Sequence, residues 1–127
     1  MIINTPISLG ELIDKISILK IKQKKINDKK KSSFIKEELS LLQSILLNLV
    51  LDKKIYVYLD KLTVVNSQLW RIEDDIRDCE RNKKFDQKFI DLARAVYKNN
   101  DKRSDIKLEI NNHFGSTLVE IKSYEKY

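Results

Sequence analysis

The feature that most constrains this fold is a run of apolar residues that recur alternately three and four positions apart. An α-helix of 3.6 residues per turn places residues with this spacing on one face. The run predicts one long amphipathic helix that begins near Asp52 or Lys53. With only two Gly and one Pro in 127 residues, the chain is expected to form long helices, not a turn-rich β-sandwich or a Gly-rich phosphate loop. The apolar positions are Ile55, Tyr58, Leu62, Val65, Leu69, Ile72, Ile76 and Cys79.

Two helices are predicted before this one. Ser8 and Glu11 have the spacing of a capping box, which predicts that the first helix begins at Ser8. The polar, lysine-rich residues 27–32 are expected to end it, and Ser33 is the predicted start of the second helix. Residues 41–51 are so apolar that little polar face is left. The end of the second helix is therefore expected either to be central in the core or to be covered by a second subunit, and we predict a homodimer.

A fourth helix is predicted after a turn at residues 81–84. Phe85 or Asp86 opens it, and Gly115 is placed as its C-terminal cap. The last residues, 116–127, are too few for a domain and are interpreted as a strap lying across the bundle. The predicted fold is thus a single all-α domain spanning residues 1–127, an antiparallel bundle of four main helices with a short C-terminal strap.

Polar residues interrupt the apolar pattern of the fourth helix. Following that helix from Phe89 at spacings of four and three leads to Asn100, Arg103 and Lys107 in the middle of the apolar face. Two interpretations are open. The helix breaks at residues 99–101, with Asp101 capping a new helix, or one continuous helix buries a polar cluster.

The third helix has a matching anomaly beside its apolar face. Asn66, Trp70, Glu73 and Arg77 form a stripe at spacings of four, three and four. Since Trp is expected to be covered, Asn66 and Glu73 should be at least half buried and need hydrogen-bond partners. Antiparallel pairing of the third and fourth helices would place Asn66 at about the height of Asn100.

These polar residues of the third and fourth helices form a candidate site in the bundle interior, which we call the predicted notch. Glu11, Asp14 and Lys15 of the first helix could reach the same site. Its cations suit a small anionic ligand, and Glu73 is the candidate acid or base if the notch is catalytic. The alternative is that the same residues satisfy one another in a structural network that fixes helix register. The predicted site residues are Glu11, Asp14, Lys15, Asn66, Glu73, Arg77, Tyr97, Asn100, Asp101, Arg103 and Lys107.

The net charge of +6 is concentrated in the first half of the chain. Its basic residues are 20 Lys and 5 Arg, a bias that fits an AT-rich genome as well as it fits a nucleic-acid partner. A solvated loop is favoured over a weak phosphate, nucleic-acid or anionic-membrane contact, because no aromatic residue is interleaved for base stacking. The lysine cluster comprises Lys20, Lys22, Lys24, Lys25, Lys29, Lys30, Lys31 and Lys36.

Other classes of site find little support in the sequence. Cys79 is the only cysteine and His113 the only histidine, so no disulfide, zinc site or other metal site is predicted, and no cofactor. The acidic residues Asp74 and Asp78 are interpreted as part of a solvated face. There is no signal-peptide pattern and no apolar stretch long enough to span a bilayer, so a cytoplasmic protein without membrane contact is expected.

Four motifs resemble a family of short bacterial and phage proteins catalogued as a domain of unknown function. They lie at residues 7–16, 69–77, 89–103 and 118–124, and include Leu-Trp-Arg-Ile-Glu-Asp-Asp-Ile-Arg and a closing Lys-Ser-Tyr. Family members usually have Pro before Gly-Glu, where this chain has Leu9. The resemblance implies no activity. It maps the family's polar positions onto Glu11, Asp14, Lys15, Asn66, Glu73, Asp74, Arg77, Asn100, Asp101 and Arg103.

A second likeness is to the all-helical chorismate mutases, whose first helix carries an acid-rich apolar repeat like residues 11–16. Those enzymes clamp a dicarboxylate with Arg and Lys inside a helical dimer, whereas the first predicted helix here has no Arg. The leading hypothesis is a small binding or adaptor module whose notch takes an anionic ligand or a partner segment. A small enzyme acting on an anionic metabolite is second, and nucleic-acid binding through the lysine cluster is third.

Overall fold

Four α-helices and no strand make up the computed structural model, which describes residues 1–127. The predicted all-α bundle is confirmed. The helices are α1 (Leu9–Lys25), α2 (Lys29–Leu47), α3 (Lys54–Arg81) and α4 (Gln87–Phe114).

Helix α1 begins where the sequence predicts. The Ser8 hydroxyl accepts a hydrogen bond from the Glu11 backbone N–H at 3.1 Å, which satisfies one of the free donors at the helix start. The carboxylate of Glu11 turns toward α4 and binds Lys107 instead of completing the capping box. The Ser8 cap therefore fixes where α1 begins, and the Glu11 carboxylate takes part in the site described below.

The predicted start of the second helix was wrong. Helix α2 begins at Lys29, four residues before Ser33, because the Asp28 carboxylate caps it by accepting a hydrogen bond from the Lys31 N–H at 2.8 Å. The lysine cluster is therefore not a loop. Its members lie in α1 and in the first half of α2, on either side of the short connection at residues 26–28.

Helix α4 runs unbroken through the polar positions in its middle. It starts at the Asp86 cap and ends at Gly115, whose φ of 67° is the left-handed conformation that terminates many helices. The interpretation that the helix breaks at Asn99–Asp101 is therefore wrong. Asn99 instead donates its amide to the Ala95 carbonyl at 2.8 Å, a bond within the same helix.

The core is built around α1. Ile13, Ile16, Leu62 and Ile110, from three different helices, are no more than 1% exposed. Helix α1 packs against the three other helices and α3 packs against α4, whereas α2 packs closely against α1 alone. Helix α2 is thus a peripheral layer, and this arrangement leaves open space between α2 and α3.

The apolar end of α2 is not central in the core, as one interpretation of the sequence had it. Leu41, Ile45, Leu47 and Val50 are 47%, 51%, 75% and 102% exposed. Only Leu46 of this stretch is buried. A single chain therefore leaves an apolar surface on the outer side of α2.

The C-terminal tail, residues 116–127, lies back along α4 without regular secondary structure. Glu120 contacts Lys107, and the Tyr127 hydroxyl donates to the Asp101 carboxylate at 2.8 Å. The ring of Tyr127 also packs edge-on against Tyr97, with centroids 5.2 Å apart. The tail thus forms a strap, with its contacts moving toward the start of α4 as the chain proceeds.

Candidate functional site

The centre of the polar cluster is Asp14 on α1, which has no exposed surface. The guanidinium of Arg103 on α4 binds both of its carboxylate oxygens, with Nε at 2.9 Å and 3.0 Å and Nη2 also contacting Oδ2. Asn66 on α3 donates its amide to Oδ1 at 2.9 Å. A buried carboxylate is costly unless it is paired and hydrogen-bonded, and this one has both kinds of partner. The hydrogen bonds to Asp14 raise the pKa of Arg103 above its ordinary value.

Ser17 and Asn66 complete this buried network. The Asn66 amide also donates to the Ser17 hydroxyl at 2.7 Å, and that hydroxyl donates to the Asp14 backbone carbonyl at 2.7 Å. No buried side-chain N or O atom in the protein lacks a hydrogen-bond partner. The Asp14 network therefore ties α1, α3 and α4 together at one height, which fits the structural alternative proposed from the sequence.

Beside it lies a second set of charges around Lys107. Its ammonium group, with the side chain 9% exposed, donates to Glu11 Oε2 and to Glu120 Oε2, each at 2.7 Å. The other Glu120 oxygen contacts Lys122 Nζ at 2.8 Å. Hydrogen bonds from Lys107 and then Lys122 lower the pKa of Glu120 from 4.5 to about 2. Burial alone would lower the pKa of Lys107, but its two carboxylate partners outweigh burial and raise it.

A close approach of α1 to α4 holds these groups in place. The Gly10 N–H donates to the Asn111 side-chain oxygen at 2.7 Å. A Cβ atom on Gly10 would lie 2.6 Å from the Lys107 backbone oxygen, closer than two such atoms can come. Glycine at this position lets the start of α1 touch α4, so that Glu11 and Asp14 reach the α4 cations.

A pocket of about 300 Å³ lies between α4 and the tail, and the α4 cations Arg103 and Lys107 line it. Arg103, Lys107 and Lys122 bring three positive charges to it, Asp101 and Glu120 bring two negative charges, and Asn100 and Ser104 bring neutral polar groups. We call it the α4–tail pocket. Its lining residues are Asn100, Asp101, Arg103, Ser104, Lys107, Glu120, Lys122 and Tyr124.

The structure brings together most of the residues of the predicted notch. Asp14, Asn66 and Arg103 meet in the buried network, and Glu11 and Lys107 form the adjoining ion pair. The remaining members lie at the edge of the cluster. Asn100 and Asp101 line the α4–tail pocket, Lys15 contacts Glu11 at 3.8 Å from an exposed position, and Tyr97 packs on Tyr127.

Glu73 and Arg77 do not join the cluster, contrary to the predicted notch. They pair with each other at 3.4 Å, with side chains 41% and 67% exposed. Glu73 lies seven residues beyond Asn66 on α3, about 10 Å along the helix axis. Helix α1 contacts α3 at the level of Asn66, so Glu73 has no partner from α1.

Sequence reasoning missed several members of the site. Asn111 continues the four-residue spacing of Arg103 and Lys107, a signal that was visible in the sequence. Glu120 and Lys122 belong to the tail motif that carries the family resemblance, but the tail has no helical periodicity that would place it. Ser17 gave no signal, because a serine inside an amphipathic helix is common on either face.

No group of three or more His, Cys, Asp or Glu side chains is placed to hold a metal ion. None of the four helices combines the length and the apolar character needed to cross a bilayer. Comparisons with protein families, with curated proteins and with solved structures gave no match to this chain. Only the geometry of the site therefore points to a function.

Proposed function

We propose that this chain is a small cytoplasmic binding module, and that its α4–tail pocket takes the anionic group of a small ligand or of a partner segment. The observation that carries the proposal is the convergence of Arg103, Lys107 and Lys122 on one pocket, with neutral polar side chains beside them. A carboxylate or a phosphate monoester is the kind of group that such cations bind through charge-assisted hydrogen bonds.

Glu120 supports this proposal because it already occupies an anion position. Its carboxylate bridges the ammonium groups of Lys107 and Lys122 at 2.7 Å and 2.8 Å. A ligand that replaced this carboxylate would leave the charge of the pocket unchanged. It would also remove the Glu120–Lys107 contact, which together with the contacts of Tyr127 to Asp101 and Tyr97 holds the far part of the tail on α4.

Arg103 and Lys107 would keep their positions if a ligand replaced the Glu120 carboxylate. Arg103 is fixed by Asp14 and Lys107 by Glu11, both from α1. Asp14 is buried and Glu11 is partly buried, and neither belongs to the tail, so both cations keep these partners when the tail carboxylate leaves. Preorganised groups bind a ligand with a smaller entropic cost than mobile ones do.

The family resemblance is consistent with a role for this cluster. Glu11, Asp14, Asn66 and Arg103 are among the positions that the resemblance marks. In this chain Asp14 contacts both Asn66 and Arg103, and Glu11 contacts the neighbouring Lys107. Membership of that family stays part of the proposal. The alternative of an enzyme used Glu73 as the acid or base, and that residue lies outside the α4–tail pocket. No observation favours the enzyme over the binding module.

We further propose that the module is a homodimer through the apolar end of α2. Leu41, Ile45 and Leu47 of α2 and Val50 just beyond it are exposed apolar side chains, and α2 packs closely against α1 alone. Exposed apolar side chains gathered at one end of a helix are the kind of surface that contacts between proteins use. The second copy is the proposed occupant, because a self-complementary contact forms most simply between identical faces.

The proposal is tested by titrating the protein with succinate and with inorganic phosphate in a calorimeter, for the natural chain and three variants. Lys122→Gln removes one cation and should weaken binding. Glu120→Gln removes the internal competitor and should strengthen binding about tenfold, if the competing carboxylate gains about 1.4 kcal/mol from its two bonds. Lys126→Gln is the matched control, because it makes the same charge change in the tail but lies outside the pocket.

Limited proteolysis of the tail gives a second readout. Occupation of the pocket by either anion should speed cleavage within residues 116–127 as Glu120 is displaced. If neither anion binds, or if Glu120→Gln fails to tighten binding, the cluster is a structural network and the proposed function is wrong.

A further inference from the structure

A second pocket lies on the other side of α1, in the space between α2 and α3. Its volume is about 660 Å³, larger than that of the α4–tail pocket, and α1, α2 and α3 each contribute to its walls. It exists because α2 packs closely against α1 but not against α3. We call it the basic groove, since Lys20, Lys24 and Lys25 of α1 and Lys36 of α2 line it.

The positive charge of the basic groove is only partly balanced by acidic residues of the chain. The only acidic residue in its lining is Asp60, set against four lysines. None of these lysines takes part in an ion pair, although charged side chains elsewhere pair along helices and across the α4–tail pocket. Ammonium groups gathered around one concave space repel one another unless an anion joins them.

The lining also indicates the kind of anion. Lysine is a compact point charge that commonly binds phosphate, and all four cations of the groove are lysines. The groove has no aromatic side chain, so it offers no platform on which a nucleic-acid base would stack. The amides of Gln23 and Gln43 add neutral donors on α1 and α2.

Size favours a small molecule over a polymer. Pockets for small molecules commonly enclose roughly 300–1,000 Å³, and the basic groove falls within this range. Apolar side chains, among them Leu39 and Leu59, also line the groove, so that a bound ligand would meet both charge and apolar surface. We propose that the basic groove binds a compact anion carrying two or more phosphate groups. This inference uses no residue of the α4–tail pocket and does not depend on the proposed function.

The experiment is a calorimetric titration with inorganic tripolyphosphate. The test variant is Lys24→Gln with Lys36→Gln, which removes one cation from each of two facing helices. The matched control is Lys29→Gln with Lys30→Gln, which makes the same charge change in the lysine cluster at positions that are exposed and lie outside the groove. All four lysines are exposed, so both variants should fold, and circular dichroism checks this.

We expect one tripolyphosphate in the basic groove and, under the proposed function, a second one at the α4–tail pocket. The test variant should bind at least about tenfold more weakly, since each lost charge-assisted bond is worth about a factor of ten. The control should stay within about threefold of the natural chain, the size of a long-range effect that salt screens. Lys122→Gln should weaken only the binding at the α4–tail pocket and should leave the loss caused by the test variant unchanged, which separates the basic groove from the α4–tail pocket.

Three results would overturn the inference. The first is no binding at millimolar tripolyphosphate. The second is an equal loss in the test and control variants, which would mean a diffuse attraction by the whole lysine-rich surface. The third is that duplex DNA displaces tripolyphosphate and needs Lys29 and Lys30, which would assign the lysines to a nucleic-acid contact outside the groove.

Discussion

Replacing Asp14 by Asn tests whether the buried network holds the bundle together. The change keeps the shape of the side chain but removes the charge that Arg103 and Asn66 bind. Removing one partner of a fully buried ion pair costs about 3–5 kcal/mol. Arg103 is 29% exposed while Asp14 is fully buried, so the guanidinium can regain some water. We therefore expect the free energy of unfolding to fall by about 2–3 kcal/mol.

Urea denaturation followed by circular dichroism measures this loss. Asp28→Asn is the matched control, because it makes the same chemical change at the exposed cap of α2, where Asn caps about as well as Asp and a change below about 0.5 kcal/mol is expected. A double-mutant cycle with Arg103→Gln should give a coupling energy of about 1–2 kcal/mol. If Asp14→Asn costs no more than the control, the network does not stabilise the fold and our account of it is refuted.

Three further predictions concern the edges of the site and the surface of α2. Gly10→Ala should lower the free energy of unfolding by about 1–3 kcal/mol, because its Cβ would meet the α4 backbone; an unchanged urea midpoint would contradict the close approach. The depressed pKa of Glu120 means that its bridge stabilises the attached tail above pH 4.5 and is lost as the pH falls toward about 2; a carboxyl titration by NMR with its midpoint near 4.5 would show that no bridge forms. Light scattering should give twice the chain mass of 15.0 kDa, and Leu47→Glu should halve it; a natural chain of 15.0 kDa at micromolar concentration disproves the dimer.

Local signals account for the parts of the fold that the sequence predicted correctly. The caps at Ser8, Asp86 and Gly115 act within one helical turn, so their positions could be inferred from neighbouring residues. The start of α2 was placed wrongly because Asp28 and Ser33 are both good capping residues. The run of lysines between them suggested a loop, yet lysine has a good intrinsic helix propensity and the Asp28 cap prevails.

The candidate site was predictable only where a polar residue interrupted an apolar period. That criterion identified Asn66 and Arg103 as members of one cluster. The structure joins them through Asp14 of the first helix, whose rotation the sequence does not fix. The criterion failed for Glu73. The stripe gives the position of each residue along α3, but it does not show at which position along α3 helix α1 makes contact. The criterion also failed for Glu120, since an extended tail has no period that would show which of its residues face α4.

The cluster can stabilise the fold and also bind a ligand, because each of its cations contacts α1 on one side and lines the α4–tail pocket on the other. Arg103 meets Asp14 toward the core and lines the α4–tail pocket on its other side. Lys107 likewise meets Glu11 from α1 and Glu120 from the tail. The two carboxylates of α1 hold both cations whatever lies in the pocket, while the outer carboxylate belongs to a segment without regular structure. A loss of stability in Asp14→Asn and a gain of anion affinity in Glu120→Gln would therefore both be expected of one site, and each can fail without the other.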